Sequence, residues 1–226
     1  MIFEDWGSIP YQQALDKQLE YVNNVDLAIS RGQEHPGYLF FCTHPPVVTT
    51  GRQTQPNDIF SWKGEVIEIS RGGRATYHGP SQIVVYPIIN LKQARHERGP
   101  QEIRGYIRAF ENAIVETLKE FGVHAVGKTP QKLPGQINET DETGVWIDSK
   151  KIASLGIAVK KWITYHGAAI NFYDDPMAFT GINPCGFKTD TMISVEKILK
   201  EKKLNIDHSF ELNFKNVLHQ KLIAKI

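Results

Sequence analysis

The chain has 226 residues, of which 41% are hydrophobic and 23% charged, as in an ordinary globular domain. Its formal net charge of +1 excludes a global electrostatic attraction to nucleic acid or to an anionic membrane. Two cysteines are too few for a disulfide framework, and the longest apolar run, residues 83–89, is far shorter than the roughly 20 residues that cross a bilayer. These features predict one domain over residues 1–226 in a cytoplasmic protein.

The predicted elements follow no regular strand–helix alternation. Ser8 and Pro10 are typical of a helix start, and apolar residues at helical spacing continue to Ile29. Further helices are predicted at 103–121 and 210–222. Short apolar runs predict strands at residues 37–43, 47–50, 65–70, 83–88, 145–147, 151–159 and 164–171. This order favours an α+β fold, with a mixed central sheet flanked by helices.

Residues 127–144 form an irregular segment that is rich in polar residues and contains Pro130 and Pro134. A stretch of this length without periodicity is often functional or mobile. A surface insertion without a function is an equally good interpretation, so its role stays open.

The two cysteines lie in different contexts. Cys42 belongs to an apolar run, which predicts a buried structural thiol. Cys185 lies between Pro184 and Gly186, which predicts an accessible turn, and a nucleophile or an incidental surface thiol would both look like this. A nucleophilic thiol also needs a nearby cation or base.

Lys151 is a candidate for that partner because it follows a predicted hairpin turn and begins an apolar strand. Partial burial there would let the amine exchange protons near neutral pH. The alternative is a solvated turn lysine beside Lys150.

Two further segments combine histidine with small residues. The loop at residues 71–80 has paired glycines and flanking arginines, which could bind a carbonyl, phosphate or carboxylate, but it matches neither the P-loop nor the dinucleotide-binding spacing. Its His78 could act as a base, an orienting donor or a packing residue. His166 precedes three small residues that leave space for a neighbouring backbone or an apolar ligand. No His or Cys pair has zinc-ligand spacing, so no metal site is predicted.

Four motifs in order resemble the lipoyl(octanoyl) transferases, which are related in fold to the lipoate- and biotin-protein ligases. They are Arg71-Gly72-Gly73-x-x-Thr76-x-His78-x-Pro80-x-Gln82, Lys151-Ile152-Ala153-Ser154-Leu155-Gly156, His166-Gly167-x-Ala169-x-Asn171 and Asn183-Pro184-Cys185-Gly186. The chain departs from the family at Ser81, where glycine is usual, and in the length of the 127–144 segment.

The resemblance implies an enzyme that moves an octanoyl group from acyl carrier protein to a lysine of a lipoyl domain, through an acyl-cysteine and without a cofactor. It implies Cys185 as the nucleophile and Lys151 as the residue that exchanges protons. The implied acyl site contains Arg71, Gly72, Gly73, Arg74, Ala75, Thr76, Tyr77, His78, Ser154, Leu155, Gly156, Gly167, Ala168 and Ala169.

The implied partners are octanoyl-acyl carrier protein as donor, and the lipoyl domains of 2-oxoacid dehydrogenase complexes and the glycine cleavage H protein as acceptors. A monomer is expected. Such partners are acidic, so a basic rim is expected at Arg71, Arg74, Lys150, Lys160 and Lys161.

Three other functions stay open. The first is an ATP-dependent lipoate-protein ligase, which would not need the cysteine. The second is a non-catalytic module that binds acyl carriers or thiols. The third is a cysteine hydrolase in which His78 or His166 serves Cys185.

Overall fold

The computed structural model describes residues 1–95, 98–130, 140–204 and 206–226. A seven-stranded mixed sheet forms its centre. The strands are, in spatial order, β1 (Ile2–Ser8), β2 (Tyr38–Thr43), β6 (Gln82–Ile88), β10 (Ile163–Asn171), β9 (Lys150–Lys160), β8 (Gly144–Ile147) and β7 (Val126–Lys128). β1 and β2 pair in parallel, and every other neighbouring pair is antiparallel.

A smaller sheet contains β4 (Glu65–Glu68), β3 (Val47–Thr50) and β5 (Thr76–His78) in that order. The helices are α1 (Tyr11–Ser30), α2 (Ile103–Glu120), α3 (Val195–Glu201) and α4 (His208–Lys225). None of the helices in these described ranges is long and apolar enough to span a bilayer.

Helices cover both faces of the large sheet. On β2, Leu39 and Phe41 pack in the cluster of α2 and α4, whereas Phe40 packs in the cluster of α1. A strand that is buried on both faces reads as a continuous apolar run, which is why β2 could be predicted. The α+β fold with a mixed, helix-flanked sheet is confirmed.

The predictions were wrong at the N-terminus. Ser8 does not cap α1, because it ends β1, and Pro10 occupies the N-cap position without a side-chain hydrogen bond. β1 was not predicted, since Glu4 and Asp5 interrupt its apolar pattern and the strand lies at the sheet edge, where its side chains stay largely exposed.

Three short elements were also absent from the predictions: β5, β7 and α3. β5 lies inside the predicted glycine-rich loop, and β7 begins one residue before the irregular 127–144 segment and ends inside it. Residues 131–139 of that segment lie outside the described residues. The predicted hairpin is present as β8 and β9.

The register of the central strands places two sequence motifs side by side. In the β9–β10 pair, Gly167 lies opposite Gly156, Ala168 opposite Leu155 and Ala169 opposite Ser154. The two triplets that the sequence predicts for the acyl site therefore form one continuous patch across neighbouring strands.

Candidate active site

A cavity opens where β9 and β10 meet α1, the 71–78 loop and the turn that carries Cys185. It is lined by Tyr11, Arg71, Thr76, His78, Val84, Tyr86, Asp141, Ser154, Leu155, Gly156, His166, Gly167, Ala168, Ala169 and Cys185. Some residues of the predicted acyl site do not line it: Gly72, Gly73, Arg74, Ala75 and Tyr77. Tyr77 instead packs edge-on against Trp62 and Phe179.

Cys185 lies in a single 3-10 turn, Pro184–Gly186, with φ 57° and ψ 20°. This left-handed conformation costs a residue with a Cβ about 1–2 kcal/mol, so the surroundings must hold it. Its N–H donates to the carbonyl of Ala75 over 2.7 Å. The prediction of an accessible thiol was wrong, because Cys185 is only 5% exposed and borders the cavity. Its Sγ lies 3.8 Å from the hydroxyl of Ser154.

Lys151 is completely buried, so the interpretation as a solvated turn residue is wrong. A β-bulge puts an extra residue, Ile152, into β9 opposite the Val145–Trp146 step, and bulges re-aim neighbouring side chains. The ammonium nitrogen lies 5.5 Å from the ring centre of Trp146 and 5.7 Å from that of Phe187. Within the part of the chain that the structure describes, Lys151 has no carboxylate at ion-pair distance.

Asp141 joins these two residues through its main chain. Its N–H donates to the carbonyl of Cys185 over 2.8 Å, and its own carbonyl accepts from Lys151 Nζ over 2.7 Å. Sequence reasoning missed this residue because it lies in the irregular 127–144 segment. Its contacts to both groups use backbone atoms, so no side-chain signal could have identified them.

Two motif glycines make this packing possible. Gly73 has φ 84°, and a Cβ there would collide with the carboxylate of Asp141. A Cβ at Gly156 would lie 2.8 Å from Cδ of Arg71. Both glycines therefore bring backbone close to cavity-lining side chains, which is the structural reason for glycine at these positions.

Arg71 supplies a buried positive charge to the cavity. Its guanidinium donates to the carbonyl and hydroxyl of Thr49 over 3.1 and 3.0 Å, and to the carbonyl of Gly72 over 2.9 Å. The side chain is 6% exposed. Arg71 is therefore part of the interior.

The cavity histidines are neutral at physiological pH. Burial, reinforced by the charge of Arg71, lowers the pKa of His166 to about 3. Burial also holds the pKa of His78 well below its usual range, with further contributions from His44, Arg71 and His166. Among the described residues, Nδ1 of His78 and Nε2 of His166 have no hydrogen-bond partner.

Of the expected basic rim, Lys160 and Lys161 are exposed at the surface, whereas the two arginines are not. Arg71 is buried, and Arg74 pairs with the carboxylate of Asp58. Lys161 pairs with Asp26, and Lys150 donates to the carbonyl of Asp190 over 2.6 Å. The expectation is wrong for the two arginines, because they pack inside the loop structure around the site.

Comparison with known proteins decides the family. The family described as the lipoyl protein ligase A/B catalytic domain matches residues 10–216. The chain belongs to this family. It is 50% identical over 203 residues to an octanoyltransferase of Bdellovibrio bacteriovorus, covering 89% of this chain and 90% of the relative. The resemblance read from the four motifs is confirmed, and so is the expectation of an acyltransferase enzyme.

Two more similarities extend this result. A probable octanoyltransferase of Pyrobaculum aerophilum is 39% identical over 185 residues, which is 80% of this chain and 74% of the relative. The crystal structure of a lipoate-protein ligase A bound with ATP superimposes with a TM-score of 0.62 at 16% identity, covering 97% of this chain and 82% of that one. At that identity the likeness establishes the shared fold only.

Proposed function

We propose that residues 1–226 act as one cytoplasmic, cofactor-independent catalytic domain that transfers an octanoyl group from octanoyl-acyl carrier protein to a lysine of lipoyl domains. The acceptors would be the lipoyl domains of 2-oxoacid dehydrogenase complexes and the glycine cleavage H protein. One observation carries the proposal: the main chain of Asp141 joins Cys185 and Lys151 beside a cavity whose lining combines small and apolar side chains with Arg71 and two histidines.

In the first step, the thiolate of Cys185 attacks the carbonyl carbon of the donor thioester. The new bond joins that carbon to Sγ, and the bond to the carrier sulfur breaks. The carrier thiolate then takes a proton from the ammonium group of Lys151. Exchange of one thioester for another is nearly isoenergetic, so this step needs no ATP.

In the second step, the amine of the acceptor lysine attacks the acyl-cysteine. Lys151, now neutral, accepts the proton that the amine loses, as a general base does. The carbon–Sγ bond breaks and Cys185 leaves as the thiolate. The amide product is more stable than a thioester, which drives the sequence forward.

The negative charge that develops on the carbonyl oxygen needs a hydrogen-bond donor. The N–H groups of Cys185 and Gly186 already donate to Ala75 and Asn183, so they are not available. The hydroxyl of Ser154 lies 3.8 Å from Sγ and is our candidate for this role.

The acyl chain would lie along β10 and its neighbours. Ala169 packs in the same apolar cluster as Val84 and Tyr86, and all three border the cavity. Burial of about seven apolar carbons would contribute on the order of 5 kcal/mol to binding.

The electrostatics of the site disfavour a cysteine hydrolase. A general base works best when its pKa lies near the working pH, and the pKa values of His78 and His166 are both depressed far below it. An ATP-dependent ligase would leave the buried association of Cys185, Asp141 and Lys151 without a purpose. A binding module without catalysis would do the same.

The test is intact-protein mass spectrometry after the protein is mixed with octanoyl-acyl carrier protein in the absence of ATP. We expect one octanoyl adduct on the parent and on Cys42→Ser, none on Cys185→Ser, and discharge of the adduct by a lipoyl domain. Transfer only with ATP and free octanoate would establish the ligase instead. Release of octanoate without an acceptor would establish the hydrolase.

A further inference from the structure

Asp58 and Arg74 form a buried ion pair next to the turn that carries Cys185. Nε of Arg74 donates to Oδ2 of Asp58 over 3.0 Å, and the second guanidinium nitrogen pairs with Oδ1. The Asp58 side chain is 0% exposed and that of Arg74 is 11% exposed. Oδ2 also accepts from the N–H of Gln55 over 2.9 Å, which fixes the carboxylate.

Each member of the pair adjoins a carbonyl that holds the nucleophile turn. The carbonyl of Asp58 accepts from the N–H of Asn183 over 2.8 Å. The carbonyl of Ala75, the residue after Arg74, accepts from the N–H of Cys185 over 2.7 Å. The N–H groups at both ends of the Asn183–Cys185 segment therefore donate to these two carbonyls. The ion pair sets the distance between them.

The neighbouring chain reinforces this attachment on both sides. The amide nitrogen of the Asn183 side chain donates to the carbonyl of Asn57 over 2.8 Å, and Ile59 bridges to Ile182. On the other side, Ala75 is completely buried and directly precedes β5, whose Thr76 pairs with Thr49 of β3. The Asp58–Arg74 pair links these two attachments, so it fixes one against the other.

Charge gives the pair a second role. Asp58 raises the pKa of Arg74 most strongly, and the charges of Cys185 and Asp141 raise it further. The attraction is mutual, so the guanidinium also acts on negative charge that develops at Cys185 during the reaction. Buried ion pairs contribute little net stability, but they fix one arrangement where geometry matters.

We propose that Asp58 and Arg74 are a positioning pair for the nucleophile: Asp58 fixes Arg74 so that the loop holds Cys185 in its left-handed conformation, with the guanidinium charge acting on the same turn. The inference rests on Cys185 as the nucleophile of the proposed function. It adds two residues that do not line the cavity and do not touch the acyl group.

The test is the pH dependence of iodoacetamide alkylation at Cys185, followed by peptide mass spectrometry in a Cys42→Ser background. Alkylation needs no acyl substrate, so it reports on the pair even if octanoyl transfer fails. The variants are Arg74→Gln, Arg74→Lys and the double variant Asp58→Asn with Arg74→Gln, which leaves no unpaired buried charge. Arg108→Gln, which breaks an exposed ion pair with Glu102, is the control.

We expect Arg74→Gln and the double variant to raise the pH midpoint of alkylation and to slow the reaction at pH 7 by about threefold to tenfold. Arg74→Lys retains the charge and should keep the midpoint near that of the parent, which a merely structural role would not predict. The proposal is wrong if the double variant has the same unfolding temperature as the parent and its Cys185 is alkylated with the same pH midpoint and the same rate. An upward shift of the same size in Arg108→Gln would also overturn it.

Discussion

The strand around Cys42 and the turn around Cys185 both bury a thiol, yet they surround it with different groups. Cys42 is 2% exposed and lies 3.7 Å from Nε2 of His44, which resembles a cysteine–histidine dyad. Burial raises the pKa of that thiol and lowers the pKa of His44 to about 4, so both groups stay neutral. Proximity to a base is therefore not enough to make a nucleophile.

The hydrogen bonds of His44 explain why it cannot serve Cys42. Its Nδ1 donates to the carbonyl of Ile9 over 2.7 Å, which leaves Nε2 to accept from the hydroxyl of Tyr86 over 2.8 Å. Cys185 has a different setting: a strained turn, a hydroxyl, a cavity and a link to a buried amine. The difference lies in what surrounds each thiol and not in its exposure.

Removal of the buried amine should produce the largest effect, because it makes Cys185 resemble Cys42. We expect Lys151→Met to slow octanoyl transfer by about a hundredfold to ten thousandfold, as loss of a general acid–base does. Lys150→Met is the matched control, since the Lys150 ammonium lies in an exposed position and donates to the carbonyl of Asp190. Steady-state transfer to a lipoyl domain measures both. Equal activity of the two variants would remove Lys151 from the mechanism.

Selective alkylation should separate the two thiols directly. At pH 7 we expect iodoacetamide to modify Cys185 much faster than Cys42, because burial raises the pKa of the Cys42 thiol and so lowers its thiolate fraction. Peptide mass spectrometry after timed quenching measures both rates. In urea the rates should become similar. Similar alkylation rates of the two thiols in the folded protein would contradict the expected difference in their reactivity.

The neutral state of His44 predicts a loss of stability in acid. Its pKa is about 4 in the folded protein and about 6.5 in the unfolded chain, so the unfolded chain binds more protons below pH 6.5. The protonation of His44 alone should lower the free energy of unfolding by on the order of 3 kcal/mol as the pH falls from 6.5 to 4. Urea unfolding across that pH range should show a smaller loss of stability in His44→Gln than in the parent protein. The exposed His124→Gln serves as the control and should behave like the parent.

The smallest effect concerns the face of the sheet that would receive the acyl chain in the proposed function. Ala169 packs with Cys42 and Tyr86 on the α1 face and borders the cavity, whereas Ala113 of α2 packs in the α2–α4 cluster and does not line it. Ala169→Leu should favour shorter donors, by about fourfold for each methylene that it excludes. Ala113→Leu should lower stability by about 1–3 kcal/mol without this preference. Competition between hexanoyl and octanoyl donors distinguishes the two. The same preference in both variants would contradict the assignment.

Much of the fold follows from local patterns. Strands such as β2 and β10 are apolar on both faces, and the amphipathic pattern of α2 is unmistakable. β1 escaped prediction because an exposed edge strand tolerates Glu4 and Asp5. For the site, the motifs predicted the cysteine, the lysine and both small-residue triplets. The pairing of Asp58 with Arg74 could not be predicted, since it depends on how two loops pack.

Asp141 has a consequence for the way this site can be mapped. Its bonds to Cys185 and Lys151 use only the peptide groups, whereas its carboxylate makes a separate contact by accepting from the N–H of Thr143 over 3.2 Å. Alanine scanning at Asp141 would therefore report on the carboxylate and not on the connection between the proposed nucleophile and the proposed general base. Only a change to the backbone would test that connection, such as proline, which has no N–H to donate.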